Sequence, residues 1–82
     1  MSDELRISSA ENVDAARALA AQLKPDSMSM HFDPNSTVLL LKRQHSRRDH
    51  QTIGRIRVSG DRALLDQVEQ AVRAGAGWED EA

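Results

Sequence analysis

Thr37–Ser59, TVLLLKRQHSRRDHQTIGRIRVS, is the stretch whose reading decides the fold. Four apolar residues, Val38–Leu41, run into a basic segment holding His45 and His50, and Thr52–Val58 returns as a second strand-like run. We read a long β-hairpin whose base is core and whose far end is a cationic arm. On the return, Ile56 and Val58 alternate with Arg55 and Arg57, so a period of two sends the apolar pair inward and the arginines to solvent. Keeping Leu39 and Leu41 inward sets them opposite Ile56 and Gly54. The same register places Val38, Leu40 and Lys42 beside Arg57, Arg55 and Ile53 on the outer face. A glycine inside the strand, Gly54, marks a bulge or a close backbone approach. The tip, Gln44–Gln51, lacks glycine, proline and asparagine, so no tight primed turn is encoded and an open, mobile loop is expected.

Upstream, Glu4–Ser8 puts Leu5 and Ile7 two apart, the spacing of a short half-buried strand. Ser8-Ser9-Ala10-Glu11 fits a capping box, and Val13, Ala16, Leu19, Ala20 and Leu23 then fall at helical spacing until Pro25. In Ser27–Asp33, Met28, Met30 and Phe32 alternate with polar residues, and Asp33-Pro34-Asn35-Ser36 is a turn by composition. Met28–Phe32 and Thr37–Leu41 are therefore expected to pair antiparallel. Downstream, Ser59 or Asp61 caps a helix with a Leu64, Leu65, Val68, Ala71, Val72 stripe, and Gly75 stands where that helix is expected to stop.

The order predicts an α+β domain, β-α-β-β-β-α, with an antiparallel sheet and two helices packed on one face. Residues 1–75 form the domain, and residues 76–82 a flexible acidic tail that, by charge alone, can lie across the basic arm. The order of elements over residues 9–74 resembles that of the double-stranded-RNA-binding domain in topology. The lysine-rich start of that family's last helix is replaced here by Gly60-Asp61-Arg62-Ala63.

Composition limits the functions on offer. A chain of 82 residues buries about 60–65% of its unfolded surface, and Phe32 and Trp78 are its only aromatics, so the core is small. Self-association as a homodimer is one remedy. There is no cysteine for a disulfide, a thiolate ligand or a nucleophile. The amino terminus is acidic and polar, unlike a secretory signal, and the longest apolar run is Val38–Leu41. Both point to a cytoplasmic protein without a membrane span.

The net charge of −2 hides a segregation. Residues 42–62 carry seven basic and two acidic side chains, a net of +5, against four basic and eleven acidic elsewhere, a net of −7. Oppositely signed patches steer encounters and exclude like-charged surfaces.

His31 and Asp33 on one strand, with His45, Asp49 and His50 around the tip, are the only histidine–carboxylate groups from which a metal site can be drawn. Their spacing matches no metal motif. No glycine-rich phosphate loop or nucleophile elbow is present, so neither an enzyme nor a cofactor or metal is expected. The expected activity is binding, by a small adaptor or inhibitor that meets an acidic protein surface. Its candidate residues are Lys42, Arg43, Arg47, Arg48, Arg55 and Arg57, with Val38 and Leu40 as an apolar centre. Trp78 serves either as a clip folding back on the domain or as a partner anchor. The alternative is a nucleic-acid binder that contacts phosphates with the same arm. That reading lacks an aromatic on the arm for base stacking and faces a sequence pI near 5.8.

Overall fold

The computed structural model describes residues 4–78. In chain order they form β1 (Glu4–Ile7), a 3₁₀ turn (Ala10–Asn12), α1 (Val13–Leu23), β2 (Ser27–Asp33), β3 (Ser36–Gln44), β4 (His50–Val58) and α2 (Arg62–Ala76). The strands make one four-stranded sheet in the order β1-β4-β3-β2, with both helices on one side. Residues 79–82, which hold most of the expected acidic tail, lie outside the described residues.

The sheet is mixed rather than antiparallel. β2–β3 and β3–β4 are antiparallel, but β1 lies parallel to β4, with Leu5 opposite Ile56 and Ile7 opposite Val58. The reason is a parity of direction. α1 carries the chain back across the sheet, so β2 starts in the same sense as β1, the crossover that parallel strands require. Two reversals through β3 and β4 restore that sense. β4 must then be parallel to β1 when the hairpin fills the space between β1 and β2.

The predicted hairpin register holds over its base, with Leu39 opposite Ile56, Leu41 opposite Gly54, Val38 opposite Arg57 and Leu40 opposite Arg55. Met28 faces Leu41 and Phe32 faces Thr37, as the alternation requires. Beyond Leu41 the register slips. Lys42 pairs with Thr52, leaving Ile53 as the extra residue of a bulge instead of the expected Lys42–Ile53 neighbour. Gly54 next to the bulge also serves a close approach, since a Cβ there would come within 2.7 Å of Leu23 Cδ1.

One face of the sheet supplies Ile7, Leu39, Leu41, Ile56 and Val58 to the core, and the helices supply Ala16, Ala20, Leu64, Leu65, Val68 and Val72. α1 starts later than the capping box predicts. No side chain caps its first turn, because Ser9 Oγ accepts from the Asn12 side-chain amide at 3.4 Å instead of from a backbone N–H. α1 ends at Leu23 with Lys24 in the left-handed region (φ 48°), the residue before proline being kept out of the α region. α2 is capped by Asp61, whose Oδ1 accepts from Leu64 N at 2.9 Å.

Gly75 does not end α2. The helix continues to Ala76 and stops at Gly77 (φ 77°), where Trp78 N donates to Arg73 O and Gly77 N to Ala74 O, a Schellman closure. Gly75 instead permits contact between the helices, for a Cβ at that position would overlap the Arg17 carbonyl of α1. The folded unit reaches three residues past the expected boundary, because Trp78 packs against the core and its indole N–H donates to Pro25 O at 3.0 Å.

Gly75→Ala normally gains roughly 1 kcal/mol of helix propensity, but here overpacking is expected to reverse the sign and destabilise by about 1–3 kcal/mol. Urea unfolding of the two proteins checks this, and a more stable variant would refute the close contact.

Candidate binding surface

The arginine-rich hairpin is the part of the chain where chemistry concentrates. β2 begins opposite Lys42, and β1 pairs only with Arg55–Val58. The ribbon from Arg43 to Gln51 therefore runs past the rest of the sheet as a two-stranded arm, paired out to Gln44 and His50. Its tip is closed, not open. His45 N donates to Asp49 O at 2.8 Å, and Asp49 N to Ser46 O at 3.3 Å, so Arg47 and Arg48 hold the two corners of a β-turn. No residue in this turn has positive φ, so neither glycine nor asparagine is required. His45 and Gln51 side chains meet across the tip at 3.0 Å.

Two contacts brace the base of the arm against the connection between α1 and β2. Gln44 N donates to Asp26 Oδ2 at 2.9 Å, and the Arg43 guanidinium donates to the Leu23 carbonyl near the end of α1. The second contact satisfies a carbonyl that the helix end leaves open. Arg43 is thereby engaged within the fold.

Arg57 is engaged more completely. Its side chain, 33% exposed, donates through Nη1 to Asp33 Oδ2 at 2.9 Å and Ser36 Oγ at 2.7 Å, and through Nε to Glu4 Oε1 at 3.3 Å. Glu4 also pairs with Arg6 at 3.3 Å. The hydrogen bond that the guanidinium donates to Asp33 is the main reason it is held above its usual pKa, with the Glu4 charge adding to it against the cost of desolvation. Partial desolvation pushes the Glu4 carboxyl up. The hydrogen bonds and charges of Arg6 and Arg57 outweigh it, and the group lies below its ordinary value of about 4.5.

The expected apolar centre is smaller than the register implied. Val38 does face the outer side, but it is only 5% exposed between its cross-strand neighbours His31 and Arg57. Leu40, between Ser29 and Arg55, stays half-buried. Trp78 lies far along the chain from this face and is held by Pro25 as a clip. Lys42, Arg47, Arg48 and Arg55 make no ion pair or side-chain hydrogen bond among the described residues.

His31 Nε2 lies 3.2 Å from Asp33 Oδ1 near the β2–β3 turn, whereas His45 and His50 flank the opposite end of β3 and β4. The two groups do not converge. Among the described residues, no three histidine, cysteine or acidic side chains gather where one metal ion could be held, and no helix is long and apolar enough to cross a membrane. The pairing of Arg57 with Glu4, Asp33 and Ser36 escaped sequence reasoning, which notes Asp33 only as a carboxylate beside His31, and Asp26 was missed altogether. Extending the predicted β2–β3 register by one pair would have brought Asp33 and Ser36 beside Arg57. Glu4 could not be found that way, since its place depends on β1 joining β4. Comparison of the chain with protein-family models, curated proteins and solved structures finds no match.

Because its folded pKa is depressed, Glu4 contributes stability that is complete above about pH 4.5 and is lost as pH falls through the lower folded value. Glu4→Gln is expected to be less stable than the parent at neutral pH, with the difference shrinking as acidification protonates the Glu4 carboxyl. Denaturant melts across this range check it, and parallel curves would remove Glu4 from the network.

Proposed function

We propose that this chain is a small binding protein of the adaptor or inhibitor type, not an enzyme, and that it recognises an acidic protein surface with the tip of its arginine-rich hairpin. The observation that carries this reading is the division among its arginines. Arg43 and Arg57 are tied down inside the fold, while Arg47 and Arg48 stand at the corners of a braced tip with no carboxylate partner among the described residues. Side chains on a pre-formed element lose less entropy on binding than those on a loose loop. Arginine there offers forked, two-bond contacts to carboxylates.

The contact set is compact, with Lys42 and Arg55 behind the tip and Leu40 beside Arg55. The rest of the chain carries a net charge of −7, which favours a local acidic patch over a long polyanion passing close to the helices. A second reading is supported by the burial of Val38, which removes part of the apolar centre. A narrow two-stranded ribbon with arginines at its end also has the dimensions to enter a nucleic-acid groove.

Fluorescence anisotropy with a labelled glutamate-rich peptide, duplex DNA and duplex RNA, at about 50 and 200 mM salt, separates the two. Binding of the peptide, weakened about tenfold or more in Arg47→Ala/Arg48→Ala, is the expected result. Duplex binding that falls steeply with salt and vanishes in the same variant would give first place to nucleic acid. An unchanged affinity in the double variant would exclude the tip from either role.

A further inference from the structure

The edge of the sheet away from β1 is formed by β2, and its features differ from those of a protected edge. Natural edge strands are blunted by lysine, proline, a bulge or a covering helix. Ser27–Asp33 is seven residues long, contains no lysine or proline, and pairs with β3 without a bulge. The helices approach the sheet over β1 and β4, leaving the helix-side residues of β2 partly open. Met28 and Met30 are half-buried there, and Phe32 is 70% exposed, the one large apolar side chain so exposed among the described residues.

We propose that this edge pairs with β2 of a second copy, joining two four-stranded sheets into one of eight strands. Antiparallel pairing about a two-fold axis must set a residue opposite its own copy, because any offset by one would oppose side chains from different faces. Of the allowed registers, only that centred on Met30 pairs all seven residues of the strand. It places Met30 against Met30 of the second copy and Phe32 against Met28. The exposed ring then closes over a thioether, and an apolar strip runs unbroken across the junction.

The polar face fits the same register. His31 meets Ser29 and Asp33 meets Ser27, so no like charges stand opposite one another. Within each copy Ser27 is paired with Lys42. The row across the junction therefore reads Asp33, Ser27, Lys42, with the carboxylate of one copy two strands from the ammonium of the other, on the same face. Asp33 is already bonded to Arg57 within its own copy, so what singles out a second copy as the occupant is the self-complementary register itself, which covers both exposed Phe32 rings with Met28 and opposes no like charges. The pairing runs along the β2 edge and leaves both hairpin tips, with Arg47 and Arg48, free and pointing in opposite directions.

The chain has no cysteine, which gives a direct test. Met30→Cys places two thiols on directly opposed residues, within the separation a disulfide spans. Mild oxidation of the full chain carrying that change is expected to give covalent dimers, while the same treatment of Gln70→Cys on exposed α2 leaves monomers. Cross-linking that is equal in the two variants would overturn the proposal. Sedimentation velocity from about 1 µM to about 1 mM is expected to show unmodified protein approaching twice its 9.1 kDa mass, and Phe32→Lys to raise the dimer Kd about tenfold or more. Phe32 is too exposed for that change to disturb the monomer, which an unchanged circular dichroism spectrum verifies. A dimer insensitive to Phe32→Lys, or a monomer at every concentration, would refute pairing through this edge.

Discussion

The two-residue period of β3 and β4 is the constraint from which the rest of the structure follows. Leu39, Leu41 and Ile56 are fully buried and Val58 nearly so, because both helices rest on their side of the sheet. In a chain with so few aromatics these aliphatic residues and the small residues of α1 must carry the core. Alanines at 16 and 20 and a glycine at 75 let α1 and α2 come close, so a small apolar volume is filled without large side chains.

The same alternation creates an electrostatic problem on the opposite face. Each apolar residue sent inward on β4 sends an arginine outward, and Arg57 emerges over Val38 near the middle of the sheet. A guanidinium this enclosed needs partners, and it draws them from three elements: Glu4 of β1, Asp33 of β2 and Ser36 of β3. Arg57 therefore fastens both edge strands to the central pair. What looks in the chain like one more cation of a basic arm is a structural crosslink.

The arm is separated from this network by the bulge at Ile53 and by the lengths of the neighbouring strands. β2 and β1 stop short, so the ribbon leaves the sheet with its charges no longer opposed by carboxylates of adjacent strands. Asp26 and the Leu23 carbonyl hold its base. One basic segment thus has several fates: Arg57 is neutralised by carboxylates of both edge strands, Arg55 beside it has no ion pair among the described residues, and Arg47 and Arg48 stand unopposed at the tip of the two-stranded arm.

Much of this was legible without coordinates. Local patterns specified every strand and helix, the inward set Leu39, Leu41, Ile56 and Val58, the base of the hairpin register and a cap at Ser59 or Asp61, of which the structure selects Asp61, because each depends on residues near in sequence or on strict alternation. The parallel β1–β4 pairing was not legible, since it follows from how four directions combine and not from any segment alone. Nor was the use of Gly75, and although a clip was one of the two sequence readings of Trp78, the group it clips to was not legible. A glycine inside a helix and a tryptophan after one carry no local sign of the Arg17 carbonyl or the Pro25 carbonyl they meet. The sequence by itself determined where charge and apolar surface lie along the chain. Only the tertiary structure decided which arginines are consumed, because neutralising a charge requires a carboxylate close in space, and Glu4 lies 53 residues from Arg57.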